Sequence, residues 1–112
     1  MGSILITQGT RPFAQRVARH LPAGQRIVFG AADEMPEVLL HNGNYVRLPS
    51  PRSSTFAHEM LKICLDRQVA TLIPLGKLEL GRLMEARILF EEYGVQLLLP
   101  ERRALETLVV IE

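Results

Sequence analysis

The sequence predicts an α/β fold, a three-layer domain with a five-stranded parallel sheet in the order 3-2-1-4-5 and helices on both faces. Two observations predict it. Five short runs of aliphatic, often β-branched residues are spread along the chain, several too continuously apolar to have a wet face, as strands covered on both sides are. Between most of them lie segments whose apolar residues recur every three or four positions, and this alternation builds parallel sheets through right-handed crossovers.

The first strand is Ile4–Thr7. From Pro12 the period changes: Phe13, Val17 and Leu21 fall four apart beside Ala14 and Ala18, with Arg16, Arg19 and His20 elsewhere. This is an amphipathic helix with proline in its first turn, where a missing N–H costs nothing, and Pro22 and Gly24 end it. Arg26–Gly30 is the second strand, Glu37–Leu40 has room for one irregular helical turn, and Asn44–Leu48 alternates as a less buried third strand. The loop PSPRSST offers hydroxyls to cap a helix whose face carries Phe56, Met60, Ile63 and Cys64. Val69–Leu75 is the fourth strand, with Pro74 marking its end. Leu80, Leu83, Met84, Ile88, Phe90 and Tyr93 predict one long helix with Gly94 just past its end, and Val95–Leu99 is the fifth strand.

A chain of 112 residues suits one domain and buries roughly 65% of its unfolded surface, enough for a real core. At 47% hydrophobic residues and a mean hydropathy of +0.12 it is too apolar for a disordered or nucleic-acid-wrapping chain. The net charge is +1 with both signs interleaved, so electrostatics points to no nucleic acid and no membrane surface. Arg11, Arg16, Arg19 and Arg26 read first as solvated surface, although arginine also suits carboxylate and phosphate. Cys64 is the only cysteine, which excludes an intrachain disulfide and reads as an inert buried thiol. The opening MGSILIT lacks the hydroxyl residue that myristoylation needs, since Ile6 stands there, and lacks a basic signal-peptide region. No apolar run approaches the ~18 residues of a membrane span, and a cytoplasmic protein is the simplest expectation.

Catalytic patterns are sparse. The turn Gln8-Gly9-Thr10-Arg11-Pro12-Phe13-Ala14 joins strand to helix where dinucleotide proteins hold a pyrophosphate, yet it supplies one glycine of the G-x-G-x-x-G pattern. No G-K-[ST] follows it, although a helix N-terminus with Arg11 beside it can still receive an anion. The second place to look is Leu75-Gly76-Lys77-Leu78-Glu79, since with the first strand central the two loops flank the reversal of strand order. Lys77 and Glu79 can contact a polar ligand there or simply open the helix, and plain capping is the preferred reading. The candidate ligand residues are therefore Gln8, Gly9, Thr10, Arg11, Leu75, Gly76, Lys77 and Glu79. His20, His41 and His58 are scattered without metal-ligand spacing, and no G-x-S-x-G elbow occurs. Asp33 and Glu34 follow the second strand, where a ribose-binding acid sits in dinucleotide proteins, but the glycine fingerprint that would give them meaning is missing.

Taken in order, ILITQGTRPFAQRVARHL, YVRLPSPR, VATLIPLGKLEL and EEYGVQLLLPE resemble the N-terminal pre-ATP-grasp domain of ATP-grasp ligases of the carbamoyl-phosphate-synthase-like kind. The resemblance covers roughly residues 3–101 and rests on the ordered series rather than on one diagnostic motif. It implies a Rossmann-like domain that packs beside catalytic ATP-grasp domains, where ATP and magnesium activate a carboxylate as an acyl phosphate. The glycine-rich phosphate loop, the nucleotide-contacting lysines and the magnesium carboxylates of those domains have no counterpart in this sequence. Lys77 also stands where similar sequences often carry an acidic residue.

The expectation is thus a single pre-ATP-grasp-like domain over residues 1–112, inactive alone, serving as a scaffold or substrate-side module of a carboxylate ligase as a truncated or split subunit. It would bind no cofactor itself, ATP and magnesium coming through a partner ATP-grasp domain or subunit. A stand-alone small-molecule or nucleotide-binding module is the alternative. In the tail, Arg102–Glu106 can be helical, whereas Thr107–Ile111 is β-branched and apolar and offers an extra C-terminal strand. An exposed strand is a template for another chain, so a homodimer through Leu108–Ile111 is expected, with addition to the chain's own sheet as the alternative.

Overall fold

The computed structural model describes residues 2–21, 24–32, 35–41 and 43–98. Ten elements follow one another: β1 (Ser3–Ile6), α1 (Pro12–His20), β2 (Ile27–Ala31), α2 (Glu37–Leu40), β3 (Tyr45–Arg47), α3 (Phe56–Asp66), β4 (Val69–Ile73), α4 (Lys77–Glu85), α5 (Arg87–Glu92) and β5 (Gln96–Leu97). The five strands form one sheet in the order β3-β2-β1-β4-β5 and every pairing is parallel, as the alternation predicts. The candidate tail strand, the homodimer segment Leu108–Ile111, Leu99, and Asp33 with Glu34 lie outside the described residues.

Strand alternation sorts the core into two layers. Ile4, Ile6 and Ile73 point to one face and meet Ala14, Val17 and Leu21 of α1 and its end. Leu5, Val28, Leu72 and Leu97 point to the other and meet Phe56, Met60 and Cys64 of α3, Leu83 of α4 and Phe90 of α5. The helix before the crossover therefore covers one face, and those after it the other. This doubly wound arrangement leaves β1 and β4 adjacent at the centre, with their carboxyl ends leading into α1 and α4.

The structure departs from the sequence reading in local ways. Phe13 is not part of the buried stripe: it is 44% exposed, with the Arg16 guanidinium 5.7 Å from its ring centroid, and Ala14 takes the inward place. The expected long helix is two helices broken at Ala86, whose φ of −104° and ψ of 12° leave the α-helical region. Both halves still bury one large side chain in the same layer, Leu83 before the break and Phe90 after it. The hydroxyls of the loop before α3 do not bond its backbone as a cap; Thr55 and Ser53 donate instead to the Glu59 carboxylate, at 2.8 and 3.3 Å.

Gly94 does close α5 as its position predicts. Its φ is +81°, its N–H donates to the Glu91 carbonyl at 3.0 Å, and the Val95 N–H reaches the Phe90 carbonyl at 2.9 Å. These two bonds are a Schellman closure, and buried Val95 packs in the layer that holds Phe90. The helix is thereby turned directly into β5.

Candidate functional site

At the point where strand order reverses, the polypeptide leaves β1 through Thr7-Gln8-Gly9 and leaves β4 through Pro74-Leu75-Gly76. Ligands of open α/β sheets bind in this crevice. Here the two loops are joined by side chains from the protein itself.

The centre of the junction is the carboxylate of Glu79, 4% exposed in the first turn of α4. Its Oε1 accepts hydrogen bonds from the Thr7 hydroxyl at 2.9 Å, the Gln8 side-chain amide at 3.2 Å and the Gly76 N–H at 2.9 Å. The bond to Gly76 is one half of a capping box, in which the third helical residue satisfies the N–H at the cap; glycine has no side chain to return the other half. Thr7 is fully buried, and its hydroxyl oxygen accepts the Leu75 N–H at 2.7 Å while its hydrogen goes to Glu79. The backbone adds a further tie, the Thr7 N–H donating to the Ile73 carbonyl at 3.1 Å.

Three backbone donors of the first loop are committed too. The Gly9 N–H goes to the Gly30 carbonyl at 2.8 Å, the Arg11 N–H to the Gln8 carbonyl at 2.9 Å and the Ala14 N–H to the Arg11 carbonyl at 3.1 Å. Pro12 has no N–H to offer. Gln8 takes φ of 55°, a left-handed conformation uncommon for a residue with a side chain, and from there its amide reaches Glu79. Gly9 sits against β2 so closely that a Cβ would lie 2.6 Å from the Phe29 Cβ and 2.9 Å from the Gly30 nitrogen.

The junction extends sideways through α4. Arg82, one turn beyond Glu79, donates to the carbonyls of Pro51 and Ser53 at 2.8 and 3.0 Å, with its guanidinium 6.0 Å from the Phe56 ring centroid. The first two turns of α4 thus hold the exit of β1, the exit of β4 and the loop that follows β3. All three lie at the carboxyl edge of the sheet.

The eight candidate residues are brought to this edge in two roles. Gln8, Gly9, Leu75, Gly76 and Glu79 build the junction, with Glu79 placed as a helix cap as well as a tie between loops. Thr10, Arg11 and Lys77 are exposed on its rim. Sequence reasoning missed Thr7 and Arg82. Thr7 had one signal, a hydroxyl ending an otherwise apolar buried strand; Arg82 had none, because nothing local marks a helical arginine that reaches back to a loop 29 to 31 residues earlier.

Among the described residues no group of three or more His, Cys, Asp or Glu side chains is placed to hold a metal ion, and no helix is long and apolar enough to cross a membrane. Burial pushes the Cys64 thiol up to about 12. Comparison with protein-family models and with curated proteins finds no match for this chain.

Proposed function

We propose that this chain is the non-catalytic, substrate-side scaffold of an ATP-grasp carboxylate ligase, working beside an ATP-grasp domain or subunit that supplies ATP, magnesium and the acyl-phosphate chemistry. The ordered sequence series suggests the family, and one structural observation favours a scaffold over a stand-alone binding module. The switch point is tied together on Glu79, and three backbone donors of the first loop, the N–H groups of Gly9, Arg11 and Ala14, are bonded within the chain. A phosphate site works by presenting backbone N–H groups to the ligand. In this turn three of them face protein carbonyls.

A carboxyl edge held rigid by its own side chains suits a module that presents a fixed surface to a neighbouring domain. Thr10, Arg11 and Lys77 are the groups on that surface with chemistry to offer a substrate or partner.

Two measurements test the reading. Purified chain with ATP and magnesium is expected to release phosphate at the background rate, and affinity purification from its native cells is expected to recover an ATP-grasp protein. Thermal-shift titration with nucleotides addresses the alternative: a ligand at about 100 times its Kd adds about 2.7 kcal/mol, several degrees in a domain this small. A shift of that size with ATP or ADP overturns the scaffold reading in favour of a nucleotide-binding module.

A further inference from the structure

A groove of about 410 Å³ opens between the exit of β3 and the flank of α3, away from the β1–β4 switch point. Arg47, Leu48 and Pro49 form one wall; Glu59, Lys62 and Ile63 form the other. The last three stand at i, i+3 and i+4 of α3 and so share one helix face. The volume lies at the small end of the ~300–1,000 Å³ usual for ligand sites.

The charges in this groove are arranged for more than solubility. Arg47 and Lys62 are exposed and, among the described residues, neither side chain has a hydrogen-bond or ion-pair partner. Glu59 pairs with neither of them; its Oε2 is held by the Thr55 and Ser53 hydroxyls at the start of α3. Half-buried Pro49 and Ile63 supply apolar surface in the same groove, and buried Leu48 backs it from the core. Two cations, one anchored carboxylate and an aliphatic floor are the complement of a zwitterion with an aliphatic side chain. A bare anion would meet repulsion from Glu59, and a nucleotide base would find no aromatic ring among the lining residues.

We propose that this groove binds a free α-amino acid with an aliphatic side chain. Arg47 and Lys62 take its carboxylate, Glu59 takes its ammonium, and Pro49 and Ile63 take its side chain. The proposal is independent of the ATP-grasp reading, which concerns the β1–β4 switch point at the centre of the sheet.

The test is a titration of the isotope-labelled full chain with L-leucine, following the amide signals of Arg47, Leu48 and Glu59 to Ile63. Saturable shifts of these signals are expected, with a millimolar or tighter Kd. Binding of 4-methylpentanoate, which lacks the ammonium, and of 3-methylbutylamine, which lacks the carboxylate, should each be weaker by about tenfold, the loss of one charged hydrogen bond. The double variant R47A/K62A removes only exposed side chains and should abolish leucine binding in a protein whose spectrum is otherwise unchanged. The variant E59Q should weaken leucine and strengthen 4-methylpentanoate, whose carboxylate no longer meets the Glu59 charge. Absence of saturable shifts up to about 10 mM leucine, where a Kd near 1 mM would be plain, overturns the proposal. So does leucine binding that survives R47A/K62A.

Discussion

The hydroxyl of Thr7 at the end of β1 donates to Glu79 Oε1 in α4 at 2.9 Å, across 72 residues of sequence, and both side chains are buried. The same hydroxyl accepts the Leu75 N–H, so one oxygen joins strand, loop and helix. A buried polar group left without its partner costs more than the bond itself is worth. Replacing Thr7 by the isosteric Val removes a donor to a carboxylate and an acceptor for a backbone N–H. The expected loss is about 2–4 kcal/mol in urea denaturation, with T7S recovering most of it. A double-mutant cycle of T7V with E79Q should show coupling of about 1 kcal/mol or more, because both changes touch one network. Additive costs would mean that the hydrogen bond does not hold the two loops together.

The two loop glycines should respond differently to alanine. At Gly9 a Cβ would strike the Phe29 Cβ and the Gly30 backbone nitrogen at 2.6 and 2.9 Å, and a sheet strand cannot move aside. G9A is therefore expected to lose about 3 kcal/mol or more, the range of severe overpacking. At Gly76 the new atom would meet Glu79 Oε1 and, at 2.8 Å, Gln8 Nε2, both ends of flexible side chains, and φ of −94° suits alanine. G76A should cost about 1–2 kcal/mol by displacing the Glu79 carboxylate. In an E79A background, where that clash is gone, G76A should be close to neutral. Equal effects of G76A with and without Glu79 would show that the clash is not the cause.

Legibility from sequence divides along a physical line. The sheet was legible because fully buried strands such as Ile4–Thr7 must be apolar throughout, and alternation with helical segments then limits the connections. Gly94 was legible because a left-handed residue at a helix end has few occupants. The break at Ala86 was not, since no proline or glycine marks it and Leu83 and Phe90 keep helical spacing across it. The junction was half legible. Position alone flagged Glu79 and Gln8, while their convergence on one oxygen with Thr7 depends on the register that sets Ile6 of β1 beside Ile73 of β4.

Arg82 makes a prediction about local motion rather than global stability. Its guanidinium serves two carbonyls of the loop after β3 and lies near the Phe56 ring, a geometry that a lysine ammonium cannot reproduce with both bonds in plane. R82K and R82A should each speed hydrogen exchange across residues 50–55, and R82A should cost about 1–2 kcal/mol. Exchange at β1 and β4 should change by no more than the global stability change requires. Protection of the loop that is unaltered in R82A would remove Arg82 from its role as the tie between α4 and that loop.

Cys64 carries the pH dependence that can be assigned. Its side chain is fully buried in the layer between the sheet and α3, and loss of hydration lifts its pKa from 9.0 to about 12. Burial disfavours the thiolate, so the folded chain keeps the proton that the unfolded chain releases. The stability this contributes is therefore fully present below pH 9 and is lost as the pH climbs from 9 towards 12. Comparing the native chain with C64A isolates the contribution of this thiol. C64A should be less stable at neutral pH, because it leaves a cavity, and the gap between the two proteins should narrow steadily above pH 9. The same burial predicts that a thiol reagent at pH 8 labels Cys64 only as fast as the protein opens, and immediately in denaturant. Labelling that is rapid under native conditions, with the fold intact, would place the thiol within reach of solvent and remove the basis for the pH dependence as well.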